Sequence, residues 1–159
     1  HRNHPKHTEL SFEVFNREMR ECIIPFVDKT YKTIAKPEGR AISGLSMGGR
    51  HTMFVGLNSL DLFANFGVLS AGDTDCENTI GKFLNDPDVN KKCNYLFIGQ
   101  GTKEQSGFFN VRVKGFTDAL DAHNIKYDYY VGGYAGHDWS TWRHLLYYRF
   151  LPNLFKNIK

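Results

Sequence analysis

The sequence has no run approaching about 18 uncharged apolar residues, so nothing in it reads as a membrane-spanning helix. It also lacks a charge excess: 20 Lys and Arg stand against 17 Asp and Glu, a net charge of +3. The two signs are interspersed and no basic face forms, which argues against a nucleic-acid partner. Cysteine is scarce, with Cys22, Cys76 and Cys93 and no C-x-x-C pair, so no zinc pattern exists. An odd count leaves at least one free thiol. A Cys76–Cys93 disulfide is one arrangement; three buried or half-buried thiols are the favoured one. Redox compartment does not follow from so few cysteines. There is no G-x-G-x-x-G opening a helix after a strand, no phosphate-binding lysine loop and no H-E-x-x-H, so no cofactor and no metal are implied. Asp73-Thr74-Asp75 and Asp86-Pro87-Asp88 read as ordinary loop acids, with calcium ligation the lesser alternative. No N-x-[ST] site and no signal-peptide pattern occur. The opening, His1-Arg2-Asn3-His4-Pro5-Lys6-His7, reads as the interior of a longer or trimmed product.

What is present is a core. The chain has 159 residues, one domain's worth, and is 41% hydrophobic and 14% aromatic. Thirteen Phe, 8 Tyr and 2 Trp supply enough apolar area to offset ordering entropy, which excludes disorder. A chain of this size buries about two-thirds of its unfolded surface.

Helix-like and strand-like segments alternate, which predicts α/β layering on a mostly parallel sheet with helices on both faces. Apolar positions Leu10, Phe12, Val14, Phe15, Met19 and Cys22 predict a helix over 9–22, and Pro25 opens another to about Ile34. Lys36-Pro37-Glu38-Gly39 is turn chemistry. About four strands are expected: Arg40–Gly44, Phe66–Ser70, Tyr95–Ile98 and Tyr127–Val131. Helices are expected over Met47–Leu57, 77–84, Gln105–His123 and 139–156, the last bent or ended by Pro152.

The most informative segment is Ile42-Ser43-Gly44-Leu45-Ser46-Met47-Gly48-Gly49, which contains G-x-S-x-G between a strand and a helix pattern. A sharp strand-to-helix turn lifts a serine hydroxyl clear of the sheet, and small residues two positions either side prevent collision. The helix that follows aims its N-terminus at the serine, so the Met47 N–H is one candidate oxyanion donor. Ser46 is the candidate nucleophile. Leu45, beside it, is a candidate pocket wall.

A serine needs a base. Among seven histidines, His1, His4 and His7 sit in a polar terminus, His51 is on the elbow helix, His123 ends a helix, and His144 lies in the last helix. His137 lies in Gly132-Gly133-Tyr134-Ala135-Gly136-His137-Asp138-Trp139, directly after the last strand, where the chain order serine, acid, histidine puts a base. The acid belongs after the penultimate strand. There the segment Gly99-Gln100-Gly101-Thr102-Lys103-Glu104-Gln105 holds one carboxylate, Glu104. Asp73 and Asp75 are rivals. Asp138 adjoins His137, but loop neighbours rarely orient each other's side chains.

Arg40 to Gly49 and Gly136 to Arg143 together resemble the esterase D-like group of α/β-hydrolases, and most closely carbohydrate esterase family 1, the feruloyl and acetyl xylan esterases. Ile24-Pro25-Phe26, Phe63 to Gly72 and Leu96 to Gly101 are also similar, so the resemblance spans roughly residues 8–156. It implies Ser46 as nucleophile, His137 as base and an acid at Glu104, where the family usually carries aspartate. It implies hydrolysis of feruloyl or acetyl esters of xylan through an acyl-enzyme, an acylated polysaccharide as substrate, and a secreted or extracellular setting. Only about 39 residues precede the elbow strand, fewer than the family's domains carry. Residues 1–159 are therefore expected to be the C-terminal half of one such domain, a partial fold lacking its N-terminal strands. The elbow strand would then be an open sheet edge, inviting the missing half or a second copy. Trp139, Trp142, Tyr134 and Phe108 are available to stack on an aromatic acyl group, though the helical positions of Trp142 and Phe108 predict core roles. The alternatives are a non-catalytic carbohydrate-contacting or interaction domain on a degraded hydrolase scaffold, and a small-molecule thioesterase such as formylglutathione hydrolase.

Overall fold

The computed structural model describes residues 7–156, with side chains from residue 11. His1, His4 and the His7 side chain lie outside these described residues.

Helix α1 (His7–Glu18) passes through a widened π-type turn, Met19–Ile23, into α2 (Ile24–Thr30), with Pro25 in its first turn. Strand β1 (Ala41–Leu45) leads into α3 (Met47–His51), which continues through a π-type segment, Thr52–Leu57. Then follow β2 (Asn65–Leu69), α4 (Cys76–Leu84), α5 (Val89–Lys92), β3 (Tyr95–Gly101), α6 (Gly107–Ala122), β4 (Asp128–Gly132) and α7 (Trp139–His144). The last helix runs on through Leu145–Phe150 to a short turn at Leu151–Asn153 that holds Pro152. The expected elements are present, most with ends moved by one or two residues; α2 stops at Thr30 short of the expected Ile34, β3 runs past Ile98 to Gly101, and the last helical turn ends at Asn153. Only α5 was unforeseen: a single turn started where the Asp88 N–H bonds Asp86 Oδ1 at 2.8 Å.

The sheet has four parallel strands in the order β1-β2-β3-β4, with Ile42 opposite Phe66, Val68 opposite Ile98 and Ile98 opposite Tyr129. Both faces are covered, as parallel strands require. Helices α3, α4 and α6 bury Met53, Leu57, Ile80, Phe83, Val113, Phe116 and Leu120 against Phe66, Val68, Leu96 and Ile98. The opposite face carries a smaller cluster, in which Leu145 and Phe150 of the last helix pack on Leu69 and Phe97. Phe66 and Phe97 are fully buried, one on each face, and truncating either to Ala costs about 3–5 kcal/mol. Strand β1 has a strand partner on one side only among the described residues.

The three cysteines are free thiols, which removes the Cys76–Cys93 disulfide. Burial pushes both the Cys76 and the Cys93 thiol up to about 12. No helix among the described residues is long and apolar enough to cross a membrane.

Candidate active site

In a parallel sheet every strand points the same way, so the loops after the four strands gather at one edge. Ser46 follows β1, Ser70 follows β2, Glu104 follows β3 and His137 follows β4.

Ser46 sits at φ 52° and ψ −115°, a conformation that costs about 1–3 kcal/mol. Its backbone is pinned on both sides. The Ser46 N–H donates to the Leu69 carbonyl at 2.9 Å, and its own carbonyl accepts from the Arg50 N–H at 3.1 Å. The turn leaves no room at Gly44, where a Cβ would stand 2.2 Å from the Gly48 carbonyl carbon; a Cβ on Gly48 meets nothing within 4 Å. The two glycines of the motif are therefore unequal, contrary to the symmetric reading.

The Ser46 hydroxyl lies 2.8 Å from His137 Nε2, and His137 Nδ1 lies 2.6 Å from Glu104 Oε1. An ionised carboxylate only accepts, so the ring proton is assigned to Nδ1 and Nε2 is left to accept from the serine. Such a relay lets the imidazole take the serine proton while the carboxylate stabilises the imidazolium.

Glu104 is buried, with 3% of its surface exposed, and a buried carboxylate must be saturated with donors. It is. Its Oε2 accepts from the Gly101 N–H at 2.6 Å and from the Ser70 hydroxyl at 2.7 Å. The helical turn Thr102–Glu104 makes the first of these local. The same turn is tied to the histidine loop by Lys103 N–H to the Ala135 carbonyl, 3.0 Å. Close approach requires glycine at 101, since a Cβ there would stand 2.5 Å from the Ala135 oxygen.

The rival acids are engaged elsewhere. Asp73 pairs with Arg50 at 3.2 Å and accepts from Thr79 Oγ1 at 3.1 Å; Asp75 accepts from Asn78. Asp86 pairs with Lys92. Asp138 caps α7, accepting from Ser140 N–H at 2.9 Å and Thr141 N–H at 3.1 Å. The Thr141 amide foremost, with those of Gly136 and Ser140, holds its carboxyl below the usual carboxylate range. The other described histidines are structural: His51 bonds the Met47 carbonyl at 2.9 Å, His123 pairs with Glu77 at 2.8 Å, and His144 stacks on Tyr130.

A cavity of about 180 Å³ opens beside Ser46, lined by Met47, Arg50, Ser70, Ala71, Gly72, Phe108, Phe109 and Arg112. The Met47 N–H is at the helix start, where backbone donors lack helical partners.

Two expected binding residues do not line this cavity. Leu45 points to the opposite face of the sheet and packs against the Leu69–Phe97–Leu145–Phe150 cluster, because strand side chains alternate. Trp139 is 63% exposed and sets its edge against Trp142 at 5.4 Å. Of the residues expected in the core, Phe108 is instead exposed at the cavity. Trp142 is half-buried: its indole N–H donates to Ser70 Oγ at 3.0 Å, and it meets His137 edge-on at 5.0 Å.

Sequence reasoning missed Ser70 and Phe109. Ser70 joins Trp142 to Glu104 from a backbone at φ 49°. Phe109 stacks on the His137 ring at 3.9 Å. The only signal for Ser70 was its place at the end of β2.

Four parallel strands, helices on both faces and a serine on the strand-to-helix turn define an α/β-hydrolase-type protein. The model of the Esterase family, described as "Putative esterase", matches residues 2–151, and the chain belongs to that family. Among curated proteins it is 33% identical over 148 residues to an "Endo-1,4-beta-xylanase/feruloyl esterase" of Xylanibacter ruminicola, covering 93% of this chain and 19% of that protein. Among solved structures it resembles a serine-to-alanine mutant of the feruloyl esterase module from Clostridium thermocellum, complexed with sinapinate. That match has a TM-score of 0.77 at 25% identity, over 93% of this chain and 60% of the module. A CE1 ferulic acid esterase from Anaeromyces mucronatus shares the fold, with a TM-score of 0.77 at 20% identity over 96% and 58% of the two chains. The chain thus spans about a fifth of the curated relative and about three-fifths of the solved ones.

Proposed function

We propose that this chain carries the nucleophile, base and acid of a serine carboxylic-ester hydrolase that removes feruloyl or acetyl groups from plant cell-wall xylan. The observation that carries the reading is the continuous hydrogen-bonded relay from Ser46 through His137 to the buried carboxylate of Glu104. The names of the xylanase and feruloyl-esterase relatives support the substrate class.

Ser46 Oγ attacks the ester carbonyl as its proton passes to His137 Nε2. The carbonyl oxygen becomes an oxyanion beside the Met47 N–H, and one such donor is worth about a hundred- to thousandfold in rate. The intermediate collapses, the sugar oxygen leaves, and His137 returns the proton to it. Water then repeats the sequence on the acyl-enzyme, and the acid and Ser46 are released. Glu104 holds the ring and balances its transient charge.

The described strands are read as part of a single α/β-hydrolase domain whose further strands pair with the free side of β1. In that reading the second oxyanion donor comes from those strands, and a second copy of the chain is the other occupant of that edge. The enzyme is read as secreted, where its polysaccharide substrate lies.

The test is a fluorophosphonate probe followed by intact mass and peptide mapping, alongside turnover of ferulate and acetate esters. A single adduct on Ser46, lost in Ser46→Ala and His137→Ala together with turnover, is expected. Labelling and turnover that survive Ser46→Ala would overturn the reading.

A further inference from the structure

The base is held by more than its two hydrogen bonds. His137 lies in the irregular segment between β4 and α7, with its side chain 25% exposed. The N–H and the lone pair that meet Glu104 and Ser46 both lie in the plane of the imidazole. These bonds fix the tautomer and leave the ring free to tilt about the line joining them. Two aromatic rings oppose that tilt. Phe109 lies flat on the imidazole, with centroids 3.9 Å apart and planes 16° from parallel. Trp142 meets it edge-on, at 5.0 Å and 86°. Phe109 is itself anchored through the next residue of α6. Asn110 Oδ1 accepts from Gln100 Nε2 at 3.2 Å, and the same amide donates to the Tyr129 hydroxyl at 2.8 Å. Gln100 is fully buried near the end of β3, one residue before Gly101, whose N–H holds Glu104. The helix also lies hard against the loop after β2, where a Cβ on Gly72 would stand 2.3 Å from the Arg112 carbonyl oxygen. One strand end thus locates both the carboxylate at the edge of the imidazole and the phenyl group on its face.

We infer that Phe109 is a positioning residue for the base: its face fixes the tilt of His137 and favours the imidazolium that forms as Ser46 gives up its proton. This rests on the esterase reading and deepens it. A cation within about 6 Å of an aromatic centroid is attracted to the ring face, and a neutral imidazole gains much less. The contact therefore strengthens on the way to the transition state, the kind of interaction that raises kcat and leaves KM alone. Acylation and deacylation both pass a proton through this imidazole, so the effect is the same whatever acyl group is carried. Phe109 also borders the cavity beside Ser46. A residue acting only as cavity wall would work through KM and would distinguish one acyl group from another, so the two roles separate experimentally.

The full-length enzyme and its Phe109→Leu and Phe109→Tyr variants are assayed on methyl ferulate and 4-nitrophenyl acetate, each below its own Tm, and the rate of fluorophosphonate labelling is timed. Leucine keeps the apolar bulk and lacks the aromatic face; tyrosine keeps the face. In Phe109→Leu, kcat is expected to fall roughly tenfold on both esters, with the KM for acetate little changed. Labelling should slow in step, and Phe109→Tyr should recover most of both losses. With the wild type active, three results each overturn the inference and leave the esterase reading intact. These are a wild-type kcat in Phe109→Leu, a loss carried by KM and confined to ferulate, and a tyrosine variant no better than the leucine one. A wild type inactive on both esters and unlabelled by fluorophosphonate overturns both.

Discussion

The Ser70 hydroxyl donates to Glu104 Oε2 at 2.7 Å, and it can do so because its oxygen is already aligned by the indole N–H of Trp142 at 3.0 Å. The relay therefore has a fourth member behind the acid. Ser70 is 1% exposed and sits at φ 49°, so its side chain is fixed at some cost in backbone strain.

Position and strain can be separated by substitution. Ser70→Gly removes the hydroxyl and relieves the positive φ; Ser70→Ala removes the hydroxyl and keeps the strain. Both are expected to lower kcat about tenfold, the scale of one hydrogen bond to a charged group, with KM little changed. Only Ser70→Ala should also lower Tm clearly. A merely structural serine would show kcat following Tm, with Ser70→Gly close to wild type.

The Glu104 carboxylate meets the His137 ring both as a charge and as a hydrogen-bond acceptor. Glu104→Gln keeps the length but turns an NH₂ group toward donors that Oε1 or Oε2 now satisfies. A loss of about ten-thousandfold in kcat is expected, as in other triads deprived of the carboxylate. Glu104→Asp keeps the charge but falls one methylene short, and a misplacement of that size costs up to about a hundredfold. The order of steady-state rates should be wild type, Asp, Gln. A Gln variant as active as the Asp variant would remove the electrostatic role.

Why some of this could be seen in the sequence and some could not follows from range. The four strands were legible because Gly and Pro punctuate short apolar runs, and β3 is buried along most of its length. The elbow was legible because its constraint is local: Gly44, Ser46 and the helix start lie within a few residues. His137 was legible from chain order alone. Glu104 was legible only as the one carboxylate in its loop; its bond to His137 spans 33 residues. Ser70 and Phe109 were invisible because they matter only where three loops meet. Leu45 was misplaced because adjacency to Ser46 in sequence says nothing of the sheet face, which alternates at each residue. Phe108 was misplaced because helical spacing identifies an apolar stripe without saying whether that stripe meets a core or a cavity.

The cap on α7 titrates. Asp138 accepts from the Thr141, Ser140 and Gly136 amides, and these hold its carboxyl below its ordinary value. A carboxyl depressed in the folded state contributes stability above its unfolded value of about 3.9, and that stability is lost as pH falls through the folded value. Asp138→Ala should therefore have a lower Tm than wild type at pH 7, with the gap closing as pH is taken below about 3.9. Asp138→Asn keeps an oxygen acceptor, so its gap should be smaller than that of Asp138→Ala at pH 7 and should narrow over the same pH range, because neither replacement titrates. Thermal melts across that range decide it; a pH-independent gap for Asp138→Ala would mean that the cap does not titrate.

The two glycines of the elbow should respond oppositely. A Cβ on Gly44 would stand 2.2 Å from both the carbonyl carbon and the oxygen of Gly48. These are backbone atoms at the helix start, so no side chain can swing aside, and relief requires moving the turn that carries Ser46. Overpacking of this kind costs about 1–3 kcal/mol and more where backbone is trapped, so Gly44→Ala should lower Tm by several degrees. It should also abolish fluorophosphonate labelling, because the displaced hydroxyl leaves His137. Gly48→Ala meets nothing within 4 Å among the described residues, and alanine favours the helix by about 1 kcal/mol over glycine. Its Tm should be at or above that of wild type, with labelling retained. Equal losses in the two variants would mean that both positions are packed against chain, and that the free side of β1 is covered in the whole protein.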